Sequence, residues 1–85
     1  MEKYKIEFKK SAIKELYSIP KKDLRKIISK IEMLADDPRP HGSVKLTGKE
    51  QYRIRHKNYR VLYSIEDEIL IIYIVKIGHR RDIYK

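Results

Sequence analysis

Arginine, histidine and tyrosine side chains gather in two segments of the C-terminal half of the chain. Between Lys45 and Arg60 there are six basic residues and a single acid, Glu50. The second segment, directly after an apolar run, is Gly78-His79-Arg80-Arg81-Asp82-Ile83-Tyr84. Guanidinium groups bind phosphate through a planar fork of donors, imidazole transfers protons near neutral pH, and tyrosine stacks on bases. These residue types indicate an RNA-phosphate site, and they are the parts that cleavage of RNA by its own 2′-hydroxyl uses.

Three of the arginines are predicted to share one face of a β-hairpin. If Lys57-Asn58 forms a two-residue turn, Arg55 lies opposite Arg60, and Arg53 is on the same face. The other, core-facing side of the hairpin then holds Tyr52, Ile54, Val61 and Tyr63. Like charges that face each other repel, and a phosphate placed between two guanidinium groups reverses that cost. The structural alternative is a solvated polar face that serves solubility, and a longer loop would shift the register.

The C-terminal segment has structural explanations beside the chemical ones. A histidine near the end of a strand, such as His79, is often structural or solvated. Asp82 can pair with an arginine, and Tyr84 can cap the core. From residue chemistry alone, RNA cleavage and a structural role both stay open.

The composition narrows the kinds of site and partner. With no cysteine and three scattered histidines among 85 residues, we expect no metal centre and no cofactor. The first ten residues lack the apolar segment of a signal peptide, and no apolar run reaches the roughly 18 residues that span a membrane. We therefore expect a soluble, cytoplasmic protein. The formal charge of +9 favours nucleic acid or an acidic protein as the partner.

The N-terminal half is predicted to form a strand and two helices. Residues 3–8 alternate between apolar and charged side chains, which indicates a half-buried strand. A short helix follows from about Ser11 and stops at Pro20, and the clearest helix spans about Lys21 to Ala35. Residues 38–50 contain two prolines and two glycines and are predicted to form a loop.

The C-terminal half is predicted to form an antiparallel sheet. Strands are expected at Tyr52–His56, Tyr59–Ile65 and Ile69–Ile77, with a turn at Glu66–Glu68 and a break at Gly78. The predicted fold class is therefore α+β in the order β-α-α-β-β-β, as a single domain of residues 1–85. Two helices pack on one face of the antiparallel sheet.

Three segments together resemble the RelE toxins of the RelE/ParE toxin–antitoxin superfamily. They are Tyr52-Arg53-Ile54-Arg55, Tyr59-Arg60-Val61-Leu62-Tyr63 and the segment from Gly78 to Tyr84. The resemblance implies a microbial-ribonuclease-like fold and a toxin that enters the ribosomal A site. There it implies cleavage of messenger RNA by 2′-hydroxyl attack, leaving a 2′,3′-cyclic phosphate without a metal. It also implies a cognate acidic antitoxin as partner, and contact with operator DNA only through the toxin–antitoxin complex.

By position, the resemblance assigns catalytic roles to Arg53, Arg55, Arg60, His79, Arg80 and Tyr84. Nearby basic side chains are predicted to contact RNA, and these are Lys45, Lys49, Lys57 and Arg81. Arg53 and Arg55 stand where relatives carry two catalytic lysines. Because arginine stays protonated, it binds phosphate but does not readily act as a general acid or base. His79 is then the candidate for proton transfer, with Tyr84 behind it.

Two other functions stay open on the sequence. One is a ParE-like toxin, which implies inhibition of DNA gyrase on the same fold without cleavage of nucleic acid. The joint presence of Arg53, Arg60, Arg80 and Tyr84 favours the ribonuclease over the gyrase inhibitor. The other is a catalytically weak member that binds RNA or protein, which the arginines at the two lysine positions keep open. A neighbouring reading frame for a short acidic protein would decide the class of protein.

Overall fold

The computed structural model describes residues 3–46, 48 and 51–79, and within them two helices lie on one face of a five-stranded sheet. In chain order the elements are β1 (Lys5–Phe8), α1 (Lys10–Leu16), α2 (Lys21–Met33), β2 (Val44–Lys45), β3 (Gln51–His56), β4 (Tyr59–Glu66) and β5 (Ile71–His79). The strands are arranged as β1-β5-β4-β3-β2. This architecture confirms the predicted α+β class and element order, with the short β2 added inside the predicted loop.

The helices cover the sheet because their apolar residues share one side. In α2, Ile27 and Ile31 recur at helical spacing and are almost wholly buried. Pro20 caps the start of α2, where a missing backbone N–H costs no helix hydrogen bond. The shorter α1 packs along β5 and buries Ala12. The opposite face of the sheet carries charged side chains of the strands together with Val44, Leu62 and Tyr73.

The β3–β4 hairpin has the predicted register. Lys57-Asn58 forms the turn, and Arg55 pairs with Arg60. The other predicted pairs are also present, namely His56 with Tyr59, Ile54 with Val61, Arg53 with Leu62 and Tyr52 with Tyr63. Lys57 closes the turn with a left-handed backbone, φ 54°, which costs a non-glycine residue roughly 1 kcal/mol. A Lys-Asn pair therefore makes a two-residue turn without glycine.

β1 pairs with β5 in parallel, so the sheet is mixed rather than antiparallel throughout. Lys5 lies beside Ile71, and Phe8 lies beside Ile74. Two helices and three strands separate β1 from β5 in the chain, so no tight hairpin joins the two strands and imposes an antiparallel direction. The alternation of residues 3–8 identified a strand but carried no information on its direction.

β5 begins and ends later than predicted. It begins at Ile71, because Leu70 has φ 54° and belongs to the preceding turn. Gly78 does not break the strand but pairs with Arg60, and His79 pairs with Tyr59. Glycine within a strand weakens the ladder without preventing it. β5 thus runs beside the full length of β4, with one register shift opposite Leu62 and Tyr63.

Aromatic and charged side chains fix the sheet at the end remote from the hairpin turn. Tyr63 is buried, its hydroxyl donates to the carbonyl of Pro38 at 2.7 Å, and burial raises the pKa of Tyr63 to about 12. The ring of Tyr52 stacks on Tyr63 with centroids 5.9 Å apart. Arg39 donates from Nε to the Tyr52 hydroxyl at 3.1 Å and from Nη2 to Asp67 at 2.9 Å. These bonds hold the loop after α2 against β3 and β4.

Candidate functional site

The face of the sheet opposite the helices carries the arginines of the hairpin. We call this face, which carries the side chains of Arg53, Arg55 and Arg60, the arginine face. Their neighbours along the strands, Ile54 and Val61, are buried in the core. Because side chains alternate along a strand, the three arginines project away from the helices. The structure therefore brings these three predicted site residues together.

The residues of the arginine face lie in two rows of cross-strand neighbours. One row is Arg55, Arg60 and Gly78, and the other is Val44, Arg53, Leu62 and Lys76. Residues opposite each other in an antiparallel pair lie roughly 4.5–5.5 Å apart at Cα, so their side chains can reach one ligand. Gly78 contributes no side chain, which leaves the first row open at its β5 end.

Arg60 is the most buried member of the arginine face, with 6% of its surface exposed. Its Nη1 donates a long hydrogen bond of 3.5 Å to the carbonyl of Lys57. Its Nε is buried and has no hydrogen-bond partner among the described residues. Buried donors in native proteins are almost always satisfied, and one that is not is expected to serve a ligand or to store strain. Burial also rules out a plain solvated surface at this position.

Arg55 and Arg53 differ from Arg60 in their surroundings. Arg55 is exposed, and its guanidinium makes no hydrogen bond or ion pair to any residue that the structure describes. The backbone carbonyl of Arg55 accepts a hydrogen bond of 2.8 Å from Nζ of Lys30 in α2. Arg53 is half-buried. The backbone of the arginine face is thus tied to the helix layer, while the Arg55 guanidinium is available to a ligand.

His79 lies on the opposite face of the sheet from the three arginines. Because Gly78 stays in the strand and pairs with Arg60, the next residue projects toward the helix side. There the His79 ring packs edge-on against Tyr59, with centroids 5.7 Å apart and an interplanar angle of 79°. The structure does not bring His79 to the arginine face, and this geometry supports the structural role that the sequence left open.

Three side chains anchor the hairpin turn to the first turn of α2. His56 Nε2 donates to Oδ1 of Asp23 at 3.2 Å, and Nζ of Lys57 lies 3.5 Å from the same oxygen. The bond from His56 holds the pKa of the Asp23 carboxyl below its ordinary value of 3.8, against the opposing effect of desolvation. Lys57, a predicted RNA contact, is therefore directed to a carboxylate of the helix layer.

Of the other predicted site residues, the structure describes only Lys45. Lys45 is exposed on β2, opposite Tyr52. The residues Lys49, Arg80, Arg81 and Tyr84 lie outside the described residues.

Sequence reasoning missed Lys76 as a candidate. It lies on the arginine face opposite Leu62 and is half-buried. Its neighbours in the sequence are almost all apolar, and Ile69–Ile77 was predicted as a strand with no site residue in it. The pairing of Gly78 with Arg60 places Lys76, two residues earlier in β5, on the arginine face, and a register shift just beyond Leu62 returns Ile74 to the core side.

A second group of cations lies on the exposed side of α2 and was not among the site residues predicted from the sequence. Lys21, Lys22, Arg25 and Lys26, which we call the α2 basic row, are all exposed and line one depression with Ser29. None of the four pairs with a carboxylate in the described part of the chain. Like charges three or four residues apart on a helix repel, so the row is unfavourable for the isolated helix.

Within residues 3–46, 48 and 51–79, no group of three or more His, Cys, Asp or Glu side chains is arranged to hold a metal ion. No helix in these ranges combines the length and apolar character that crossing a membrane requires.

Comparison with known proteins identifies relatives along almost the whole chain. A family model described as the ParE toxin of the type II toxin–antitoxin system parDE matches residues 6–84. A RelE-like toxin protein of Escherichia coli is 33% identical, with 96% of this chain and 90% of that protein covered. The toxin RelE1 of Methanocaldococcus jannaschii is also 33% identical, with 98% and 97% covered.

A solved structure has the same architecture. The archaeal RelE–RelB complex from Pyrococcus horikoshii contains a chain that superposes with a TM-score of 0.84 and 30% identity. The superposition covers 94% of this chain and 98% of that one. The mixed sheet with two helices on one face is thus the fold of that protein as well.

Proposed function

This chain belongs to the RelE/ParE family of toxins of type II toxin–antitoxin systems, and we propose that it is a ribosome-dependent endoribonuclease. Its substrate is messenger RNA in the ribosomal A site. The 2′-hydroxyl of one nucleotide attacks the adjacent phosphate, and the products are a 2′,3′-cyclic phosphate and a new 5′-hydroxyl. Negative charge grows on the phosphate during this attack, and preorganised cations stabilise it.

The paired position of Arg55 and Arg60 is the observation that carries the proposal. Within the described residues Arg60 has no counter-ion, and a buried cation in that state is unfavourable by roughly several kcal/mol. Like charges that face each other on a sheet also repel. One phosphate between the two side chains offers oxygen acceptors to both guanidinium forks. The arrangement is costly in the free protein and favourable with a bound phosphate, as expected for a binding site.

The three arginines bind and stabilise, and they do not transfer protons. Arg60 is proposed to contact the non-bridging oxygens of the scissile phosphate, because its unsatisfied Nε lies in the most buried part of the face. Arg55 and Arg53 hold the flanking backbone. Arg80 and Tyr84, outside the described residues, keep the roles implied by the resemblance, in charge stabilisation and base stacking. We assign His79 to packing against Tyr59.

The ribosome supplies alignment in this proposal. A shallow sheet face holds a phosphate but does not by itself orient the 2′-hydroxyl in line with the leaving oxygen, and orientation can contribute several orders of magnitude to a rate. The α2 basic row lies on the other layer of the protein and offers further cations to the phosphates of ribosomal RNA. The protein would then act only on ribosome-bound messenger RNA, in the cytoplasm.

The partner that restrains the toxin is proposed to be an acidic antitoxin. The Pyrococcus relative is solved as a complex of RelE with RelB, and this chain carries a formal charge of +9. Acidic side chains over the arginine face would satisfy Arg55 and Arg60 in the way that a phosphate does. Operator DNA would be contacted only through the complex.

A ParE-like inhibitor of DNA gyrase is the second candidate, because the matching family model describes ParE toxins. Gyrase inhibition does not require the paired arginines, so it leaves unexplained the buried Nε of Arg60, which has no hydrogen-bond partner in the described part of the chain. The presence of this group favours the ribonuclease.

One experiment separates the two functions. Purified protein is incubated with ribosomes carrying a 5′-labelled messenger RNA, with the same RNA alone, and with DNA gyrase in a supercoiling assay. We expect cleavage on the ribosome, little cleavage of free RNA and unimpaired supercoiling. Absence of ribosome-dependent cleavage together with loss of supercoiling would establish the gyrase inhibitor instead.

A further inference from the structure

Protonation of the leaving oxygen is a step that the arginine face cannot perform. When the phosphorus–oxygen bond breaks, the 5′-oxygen departs with negative charge unless a proton is delivered to it. Guanidinium groups hold their protons throughout the pH range of enzymes. His79 lies on the helix side of the sheet, and His56 donates to Asp23 there. Among the described residues, the remaining candidate donors are amines on the same face of the sheet.

Lys76 is the amine of this face that lies nearest in register to Arg60. In β5 it is two residues from Gly78, the direct cross-strand partner of Arg60, so Lys76 and Arg60 are diagonal neighbours. Diagonal neighbours on adjacent strands are about 7–8 Å apart and within reach of each other's long side chains. Gly78 adds no side chain beside the pair. A phosphate held by Arg60 would therefore lie within reach of the Lys76 ammonium.

The surroundings of Lys76 leave its ammonium available. It is half-buried and makes no hydrogen bond or ion pair to a residue in the described ranges. The charged or titratable groups on its side of the sheet are Arg60 and Glu66 on β4, Arg53 and Arg55 on β3, Tyr73 on β5, and Glu7 with Lys5 on β1. Glu7 pairs with Lys5 at 3.7 Å. On the other side, the carboxylate of Glu15 in α1 accepts from the backbone N–H of Ile77.

We propose that Lys76 is the general acid of the cleavage reaction, an inference that rests on the proposed ribonuclease function. The 2′-oxygen forms a bond to phosphorus and gives up its proton to water. The bond from phosphorus to the 5′-oxygen breaks, and an Nζ–H of Lys76 protonates that oxygen. The cyclic phosphate and the 5′-hydroxyl leave, and the neutral amine regains a proton from solvent. Unlike a guanidinium, an amine can complete this cycle.

The test compares variants that separate charge from proton transfer. Lys76→Arg keeps the positive charge and removes the transferable proton, and Lys76→Gln removes both. Lys5→Arg is the matched control, because Lys5 lies on the same face at the far strand β1. Single-turnover cleavage on programmed ribosomes should fall about 10²–10⁴-fold in both Lys76 variants, the usual range for general acid–base catalysis. Lys5→Arg should cleave at the wild-type rate.

A substrate with sulfur in place of the bridging 5′-oxygen shows whether Lys76 acts by protonating the leaving atom. A thiolate leaves without protonation, so the Lys76 variants should cleave this RNA within a few-fold of the wild-type rate. For the wild-type protein, the fall in rate at alkaline pH should be present with the oxygen substrate and absent with the sulfur substrate. This second measurement needs no variant and so does not depend on how a variant folds.

The outcomes distinguish this inference from the proposed function. Ribosome-dependent cleavage by wild type, with equal defects of Lys76→Arg on the two substrates, would reduce Lys76 to a binding or structural role. Wild-type rates in Lys76→Arg would also overturn the inference and leave the ribonuclease function standing. Absence of cleavage by the wild-type protein would overturn both.

Discussion

Arg55 and Arg60 face each other across the β3–β4 hairpin, yet Arg55 is exposed and Arg60 is 6% exposed. The difference follows from strand position. Arg60 lies in β4, which is flanked by β3 and β5, whereas Arg55 lies beyond the last residue of β3 that β2 covers, Arg53. A phosphate that approaches over the uncovered end of β3 meets the exposed guanidinium of Arg55 first and the buried guanidinium of Arg60 behind it. The pair therefore defines a direction of entry as well as a site.

Replacing Arg60 with an apolar residue of similar length should separate stability from activity. Arg60→Met removes a buried cation that has an unsatisfied Nε and faces another cation. We expect cleavage to fall about 10²–10³-fold, the range for loss of one charge-stabilising donor. The Tm should stay constant or rise, because exchanging a buried charge for a packed apolar side chain is often neutral or stabilising.

The control for Arg60→Met is Val61→Ala, which shortens the neighbouring core residue and should lower the Tm without removing a cation. Ribosomal cleavage assays and thermal unfolding of the same preparations supply both readouts. A marked loss of Tm in Arg60→Met would mean that Arg60 supports the fold, and full activity would remove it from the site.

Local sequence patterns predicted the hairpin. The direction of β1, the face of His79 and the burial of Arg60 depend on contacts between residues distant in sequence, which local patterns do not show. The register of Arg55 with Arg60 follows from a two-residue turn and the alternation of core residues, both within a dozen positions. β1 pairs in parallel with β5, from which two helices and three strands separate it, so the local pattern of β1 does not encode its direction. The face of His79 depends on whether Gly78 stays in β5, and pairing with Arg60 decides that. The burial of Arg60 depends on its central strand, so residue type alone could not predict it.

His79→Phe should retain the catalytic activity. The phenyl ring preserves an edge-on contact with Tyr59 and removes the imidazole. We expect cleavage within about three-fold of wild type and an unchanged pH–rate profile, because the side chain lies on the helix face. The measurement is single-turnover cleavage on programmed ribosomes across a pH series. A loss of 10²-fold or more with a flattened profile would return proton transfer to His79.

Asp23→Asn should destabilise the protein near neutral pH and have no effect in acid. In the folded protein the pKa of Asp23 is lowered by the His56 hydrogen bond and by Lys57. Because the pKa of Asp23 is lower in the folded than in the unfolded protein, its ionised carboxylate stabilises the fold at pH values above the ordinary pKa of 3.8. This stabilisation is lost as the pH falls through the pKa of Asp23 in the folded protein. Urea unfolding should therefore show a lower free energy of unfolding for the variant at about pH 7 and equality with wild type at about pH 2.

The matched control for the acid dependence is Asp36→Asn, since Asp36 pairs with Lys3 at 3.6 Å on the exposed surface, where such pairs contribute little. This variant should unfold like wild type at both pH values. If Asp23→Asn were as stable as wild type at neutral pH, the contacts of Asp23 with His56 and Lys57 would not anchor the hairpin.

The α2 basic row should contribute to ribosome binding through phosphate contacts. Lys22→Gln with Lys26→Gln removes a like-charge pair spaced four residues apart, so helix stability should rise by a few tenths of a kcal/mol. Ribosome affinity should fall, and the slope of log Kd against log salt should decrease by about one to two units, as expected for the loss of one or two phosphate contacts. Lys10→Gln with Lys14→Gln in α1 removes the same charge at the same spacing and serves as the control. Equal losses of affinity in the two double variants would mean that the ribosome senses net charge alone, and an unchanged slope in the α2 variant would exclude the row from the interface.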